Sequence, residues 1–108
     1  MLPKAHRLTT KDFARVGAQR PTRFVKGLYC TIKTYTSLES MTKVGIVIGK
    51  NVDKRAVVRN RIKRTIYDFF RKNLGKLPVA DYICVVYPQA AKVENDILLR
   101  DLRRISNF

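Results

Sequence analysis

Val58, Ile62, Ile66 and Phe69 recur at spacings of four, four and three residues, which places them on one stripe of an α-helix, and Phe70 widens the stripe. The rest of that helix is cationic. Asn60, Arg61, Lys63, Arg64, Arg71 and Lys72 occupy the opposite arc, with Arg59 at its border. Such a helix needs a core built by other segments to receive its stripe. Its polar arc is equally constraining, because no acidic residue lies between Lys54 and Tyr67. Neighbours one turn apart, such as Arg55 and Arg59, repel each other at a cost of a few tenths of a kcal/mol per pair. A merely solvated face would intersperse acids to relieve that repulsion, so a polyanion is the expected source of relief.

The segments that build the core can be read on either side. Thr9 followed by Asp12 three residues later is a capping-box pattern opening a short helix, in which Phe13 and Val16 share a face. Gly17 and Pro21 stop it. Lys26 to Thr34 is rich in β-branched and aromatic residues and predicts a strand; a further short strand near Arg23 is allowed, and Phe24 to Tyr29 admit more than one register. Tyr35 to Ser40 is polar and predicts a hairpin loop with a mobile tip, followed by a second strand over Lys43 to Gly49. Asp53 is the expected N-cap of the basic helix, which would begin near Lys54 or Arg55 and stop before Gly75 and Pro78. Asp81 to Tyr87 is nearly continuous in apolar residues, as in a central strand covered on both faces, and Pro88 ends it. Lys92 to Asn107 closes the chain as a helix, with Val93, Ile97, Leu98, Leu102 and Ile105 at helical spacing and Arg100, Arg103 and Arg104 toward solvent. The order is α-β-β-α-β-α, in a single domain spanning residues 1–108 with no internal repeat.

A net charge of +15 and a pI near 10.4 extend the basic bias to the whole chain, while a hydrophobic content of 45% sets it apart from a disordered basic tail. Cys30 and Cys84 lie in strand-like apolar runs without metal-ligand spacing and are expected as buried, reduced thiols. Met1 to Arg20 has no apolar core between its charges, and no apolar run approaches the roughly 20 residues of a spanning helix. A cytoplasmic location and no membrane partner are therefore expected. Gly45 to Asn51 lies between strand and helix like a phosphate-binding loop, but three residues separate its glycines where four are needed, and Asn51 stands where a magnesium-binding hydroxyl belongs. His6 is the only histidine, and Asp12, Asp53, Asp68, Asp81, Asp96 and Asp101 are scattered as caps and ion partners. No protein catalytic centre or protein-built metal site is indicated.

Arg59-Asn60-Arg61-Ile62-Lys63-Arg64 resembles the RNR motif of the protein subunit of bacterial ribonuclease P. Asp12-Phe13, Val44-Gly45-Ile46-Val47 and Asp81-Tyr82-Ile83 match that family in order and spacing. The resemblance implies an α+β protein: a two-layer α/β sandwich with a central, mostly antiparallel sheet and a left-handed β-α-β crossover, ribosomal S5 domain 2-like. It also implies the protein component of a ribonucleoprotein endonuclease that removes the 5′ leader of precursor tRNA, with the catalytic centre and its Mg2+ held mainly by the RNA. By motif position, Lys50, Lys54, Arg55, Arg59, Asn60, Arg61, Lys63 and Arg64 would contact the catalytic RNA in a 1:1 complex. Phe13, Tyr29, Thr31 and Lys33 would line a cleft for the leader. Gly17 departs from the family, which often has a second aromatic residue there. The competing reading is a ribosomal or ribosome-assembly RNA-binding protein without a nuclease role. A DNA-binding regulator is disfavoured because no second short helix accompanies the basic one.

Overall fold

Residues 3–37 and 40–106 are described by a computed structural model. A short 3-10 turn at Lys4–His6 leads into α1 (Thr10–Gly17), followed by β1 (Arg23–Lys26), β2 (Cys30–Tyr35), β3 (Lys43–Val47), α2 (Ala56–Asn73), β4 (Asp81–Val86), a second 3-10 turn at Pro88–Lys92 and α3 (Asn95–Ile105). The capping box forms as its residues predict. The Asp12 amide donates to Thr9 Oγ1 at 3.2 Å, and the Thr9 amide donates to the Asp12 carboxylate at 2.9 Å.

The four strands form one sheet in the order β1-β2-β4-β3. β1/β2 and β2/β4 are antiparallel, while β3 and β4 run parallel and are joined through α2. This corrects two expectations. The strand predicted over Lys26 to Thr34 is two strands, because the chain turns at Gly27-Leu28-Tyr29 to pair Lys26 with Thr31. Tyr35 to Ser40 does not close a hairpin: β4 inserts between β2 and β3, so the loop carries the chain across the sheet to its far edge. The expected mobile tip falls on Leu38 and Glu39, which lie outside the described residues, as does Asn107 at the predicted end of the last helix.

One sheet face carries Cys30, Ile32, Val44, Ile46, Tyr82 and Cys84 against α2 and α3. Ile62, Ile66, Phe69 and Phe70 of α2 are buried there, each worth on the order of 1.5–3 kcal/mol of apolar transfer. Cys30 and Cys84 are both buried free thiols; contact with Cys30 and burial push the Cys84 thiol well above its usual range. The other face is only partly covered. There Leu8, Val16, Tyr35 and Ile83 form a smaller cluster, with Phe13 and Val85 at its margin.

α2 begins at Ala56, with Arg55 in the N-cap position and no side chain capping it. Asp53 is therefore not the N-cap. Its carboxylate braces the preceding loop instead, accepting from the Arg55 amide at 2.8 Å and from the Arg55 guanidinium at 3.1 and 3.0 Å. That guanidinium holds the Asp53 carboxyl down at about 2.

Candidate nucleic-acid interface

The cationic arc of α2 divides into two sides. Asn60, Lys63 and Arg64 line a hollow of about 550 Å³ together with Tyr67 and Arg7, the last contributed by the chain just after the first 3-10 turn. Arg7 is fixed there by its β-bridge to Val44, and His6 Nδ1 makes a 2.7 Å hydrogen bond with the Thr42 carbonyl. Burial pushes the Tyr67 hydroxyl up, with nearby Arg7 pulling it the other way. Arg61 faces α3, where it donates to Asn95 Oδ1 at 2.5 Å.

Two further cations of the motif region are already engaged. Arg59 folds back to donate to the carbonyls of Asp53 and Lys54 at 2.9 and 2.8 Å, and Arg55 pairs with Asp53. Lys50 and Lys54 are exposed in the loop before the helix. Positive side chains thus surround a helix N-terminus whose partial charge is also positive, an arrangement that favours an anion over solvent alone.

The second surface is the partly covered face of the sheet. Cross-strand pairing puts Phe24 beside Lys33 and Lys26 beside Thr31, and continues both rows through Ile83 and Val85 on β4 to Gly45 and Val47 on β3. Phe13 of α1 lies directly over Gly45: a Cβ there would stand 2.2 Å from the Phe13 ring. At the other edge the Phe24 ring is 49% exposed and flanked by the Lys26 and Lys33 ammonium groups, 5.8 and 5.7 Å from its centroid. Four strands at about 4.8 Å spacing separate the two rings by roughly 14 Å. Thr31 is held between them by a hydrogen bond with the Tyr87 hydroxyl.

A family model described as Ribonuclease P matches residues 2–107. The chain belongs to the ribonuclease P protein family. It is thus a protein component of an endoribonuclease of tRNA 5′ processing, and its partner complex contains RNA. A ribonuclease P protein component from Pseudanabaena sp. is 38% identical over 97 residues, covering 88% of this chain and 82% of that protein. One from Azoarcus sp. is 31% identical over 102 residues, covering 94% and 83%. For one from Xanthomonas campestris the identity is 40% over 74 residues, covering 65% of this chain and 50% of the relative. Among solved structures, the Staphylococcus aureus RNase P protein superposes with a TM-score of 0.83 at 24% identity, covering 94% of this chain and 93% of that one. The Thermotoga maritima RNase P protein does so with a TM-score of 0.77 at 20% identity, covering 93% and 94%. These two share the fold.

In this ribonuclease P protein, Phe13, Thr31 and Lys33 lie on one sheet face as their positions predict, but Tyr29 does not. The turn at 27–29 ends the strand alternation, and Tyr29 packs on the opposite side beside Leu28, Ile97 and Arg100. Its amide donates to the buried Asp101 carboxylate at 3.0 Å. Phe24, Lys26 and Arg7 were missed by the sequence reading. The alternation Arg23-Phe24-Val25-Lys26 was the available signal for the first two, whereas nothing local announces that Arg7 meets α2. No helix among the described residues is long and apolar enough to cross a membrane.

Proposed function

We propose that this chain binds the catalytic RNA of ribonuclease P through the Asn60, Lys63, Arg64, Tyr67 and Arg7 hollow, and the 5′ leader of precursor tRNA across the Phe13 to Phe24 sheet face. The observation that carries the reading is the acid-free arc of α2, whose like charges are assembled on a rigid helix and supplemented by Arg7 from a distant segment. Lys50, Lys54, Arg55, Arg59 and Arg61 flank this contact. Arg55 and Arg59 brace the loop, leaving Lys50 and Lys54 as the flexible phosphate partners.

The open sheet face offers what a single strand requires: two aromatic rings for base stacking and lysines for the intervening phosphates, with little sequence preference. The RNA carries the catalytic centre and the Mg2+ ions, which would activate water and stabilise the leaving oxygen. The protein brings RNA segments together by lowering their repulsion, in a 1:1 complex in the cytoplasm. Among the described residues no three His, Cys, Asp or Glu side chains converge, and His6 is engaged with the Thr42 carbonyl.

Reconstitution tests the reading. Purified protein mixed with its own catalytic RNA should accelerate leader removal from precursor tRNA at low Mg2+. Equal rates with and without protein would overturn it and return the chain to the class of non-nuclease RNA-binding proteins.

A further inference from the structure

The α2 face around Asn60 uses only part of the chain's cations, and a second cationic surface lies between α2 and α3. Two adjoining hollows of about 430 and 240 Å³ share Phe69, Asn73 and Arg103 in their walls. Together they form one groove along the C-terminal half of α2. Lys72 in the last turn of α2 and Lys76 just beyond the helix each line one of the hollows, and Arg103 of α3 lines both. All three are exposed and none is in an ion pair among the described residues. Asp68, the single carboxylate in the wall, has Arg71 at 3.8 Å and feels Lys72 as well, so it offsets only part of the groove's positive charge. The floor is the buried Phe69 ring.

We propose that this groove is a second docking surface for the catalytic RNA, gripping its sugar-phosphate backbone; the inference rests on the RNA-binding reading above. Bringing Lys72, Lys76 and Arg103 to one cleft raises the energy of the free protein by mutual repulsion, and a polyanion removes that cost. Neutral polar groups stand beside the cations: Asn73, in both hollows, donates one amide hydrogen to the Phe69 carbonyl at 2.7 Å and keeps a second to offer, while the Thr65 and Ser106 hydroxyls donate to the Arg61 and Arg103 carbonyls and present their oxygens as acceptors. They suit phosphate oxygens and 2′-hydroxyls.

The groove is distinct from the Asn60 face. On a helix of 3.6 residues per turn, Lys72 points roughly 120° away from Asn60, and 12 residues of helix place it about 18 Å further along. No single phosphate serves both, so the RNA would hold α2 at two points along its length.

The test is the salt dependence of binding to the cognate catalytic RNA. For Lys76→Ala combined with Arg103→Ala, the slope of log affinity against log salt should fall by about 1.5, since each phosphate contact contributes roughly 0.7 to 0.9. Both side chains are exposed, so folding should survive, as circular dichroism would verify. Lys76→Arg with Arg103→Lys should keep the parent slope, because charge is conserved. Arg64→Ala, measured alongside, separates the two ideas. A lowered slope for Arg64→Ala with an unchanged slope for the groove variant overturns the groove and leaves the main reading standing; unchanged slopes for both overturn both. Retained RNA binding by the groove variant with loss of an acidic protein partner would also overturn the proposal.

Discussion

Gly45 and Phe13 are complementary residues separated by 32 positions, the glycine existing to admit the ring. Gly45→Ala would force the Phe13 ring to move or the strand to shift, at about 1–3 kcal/mol by analogy with overpacked cores. Urea unfolding should register that loss. Phe24 makes a cleaner probe because its half-exposed ring contributes little to the core. Phe24→Ala should weaken binding of leader-bearing precursor tRNA by roughly tenfold, within the 1–3 kcal/mol typical of one stacked base, while mature tRNA binding stays constant. Equal losses on both substrates would sink the stacking role. Asp53 supplies a pH test. Its carboxyl is depressed from 3.8 to about 2 by Arg55, so its bracing of the loop is complete above pH 3.8 and is lost as the pH falls toward 2. The Arg55 amide should titrate by NMR with a midpoint near 2, and a midpoint at 3.8 would show that the brace is absent in solution.

Between elements, Asp101 is the main tie. It is 4% exposed and its carboxylate accepts from the Leu28 and Tyr29 amides at 3.2 and 3.0 Å and from Arg104 at 2.8 Å, fastening the β1–β2 turn to α3. Asp101→Ala leaves those amides without a buried acceptor and should cost about 3 kcal/mol, a fall in Tm of about 12 to 24 °C by calorimetry. Asp101→Asn should recover part of it. The same tie explains what the sequence hid. α2 and α3 were legible because their apolar residues repeat at the helical period, and β4 because its apolar run is nearly continuous and of strand length. The β1–β2 turn was not, since Lys26 to Thr34 reads as unbroken β-rich chain and the carboxylate that stabilises its turn lies 72 positions beyond Tyr29. Tyr29 was misplaced for that reason: counting by twos from Thr31 fails once the strand ends at Cys30. Local pattern likewise suggested a hairpin from β2 to β3, because the strand that separates them comes later in the chain. On the site side, the motif run was readable as charge, but its division among residues that line the Arg7 hollow, brace the loop or face α3 required the helix's neighbours.

Across the whole molecule, a net charge of +15 on 108 residues is spread over both sides of one sheet, with the Phe13 to Phe24 face on one and the α2 surfaces on the other. Affinity for RNA should therefore be steeply salt-dependent. Replacing Arg64 with alanine should lower the log–log slope for the catalytic RNA by somewhat less than one unit, whereas Phe24→Ala should leave it unchanged, because Phe24 lies on the opposite sheet face and carries no charge to release counterions. A titration of catalytic-RNA affinity against salt for the two variants distinguishes these contributions. An equal effect on slope from both would contradict the separation of surfaces.

The position of β4 at the centre of the sheet also bears on how the chain is made. β2 and β3 have no hydrogen-bonded partner in common until residues 81–86 arrive between them, and those residues are synthesised after the entire basic helix. On the ribosome, α2 emerges before the sheet that will bury its apolar stripe can close, since long-range pairing must await its last strand. A nascent chain halted before Asp81 therefore presents a cationic, amphipathic segment with no folded body to hold it, next to a machine made largely of RNA. The shaped interface is completed only when the final strand is inserted, so until then the segment can engage a polyanion by charge alone, without selectivity.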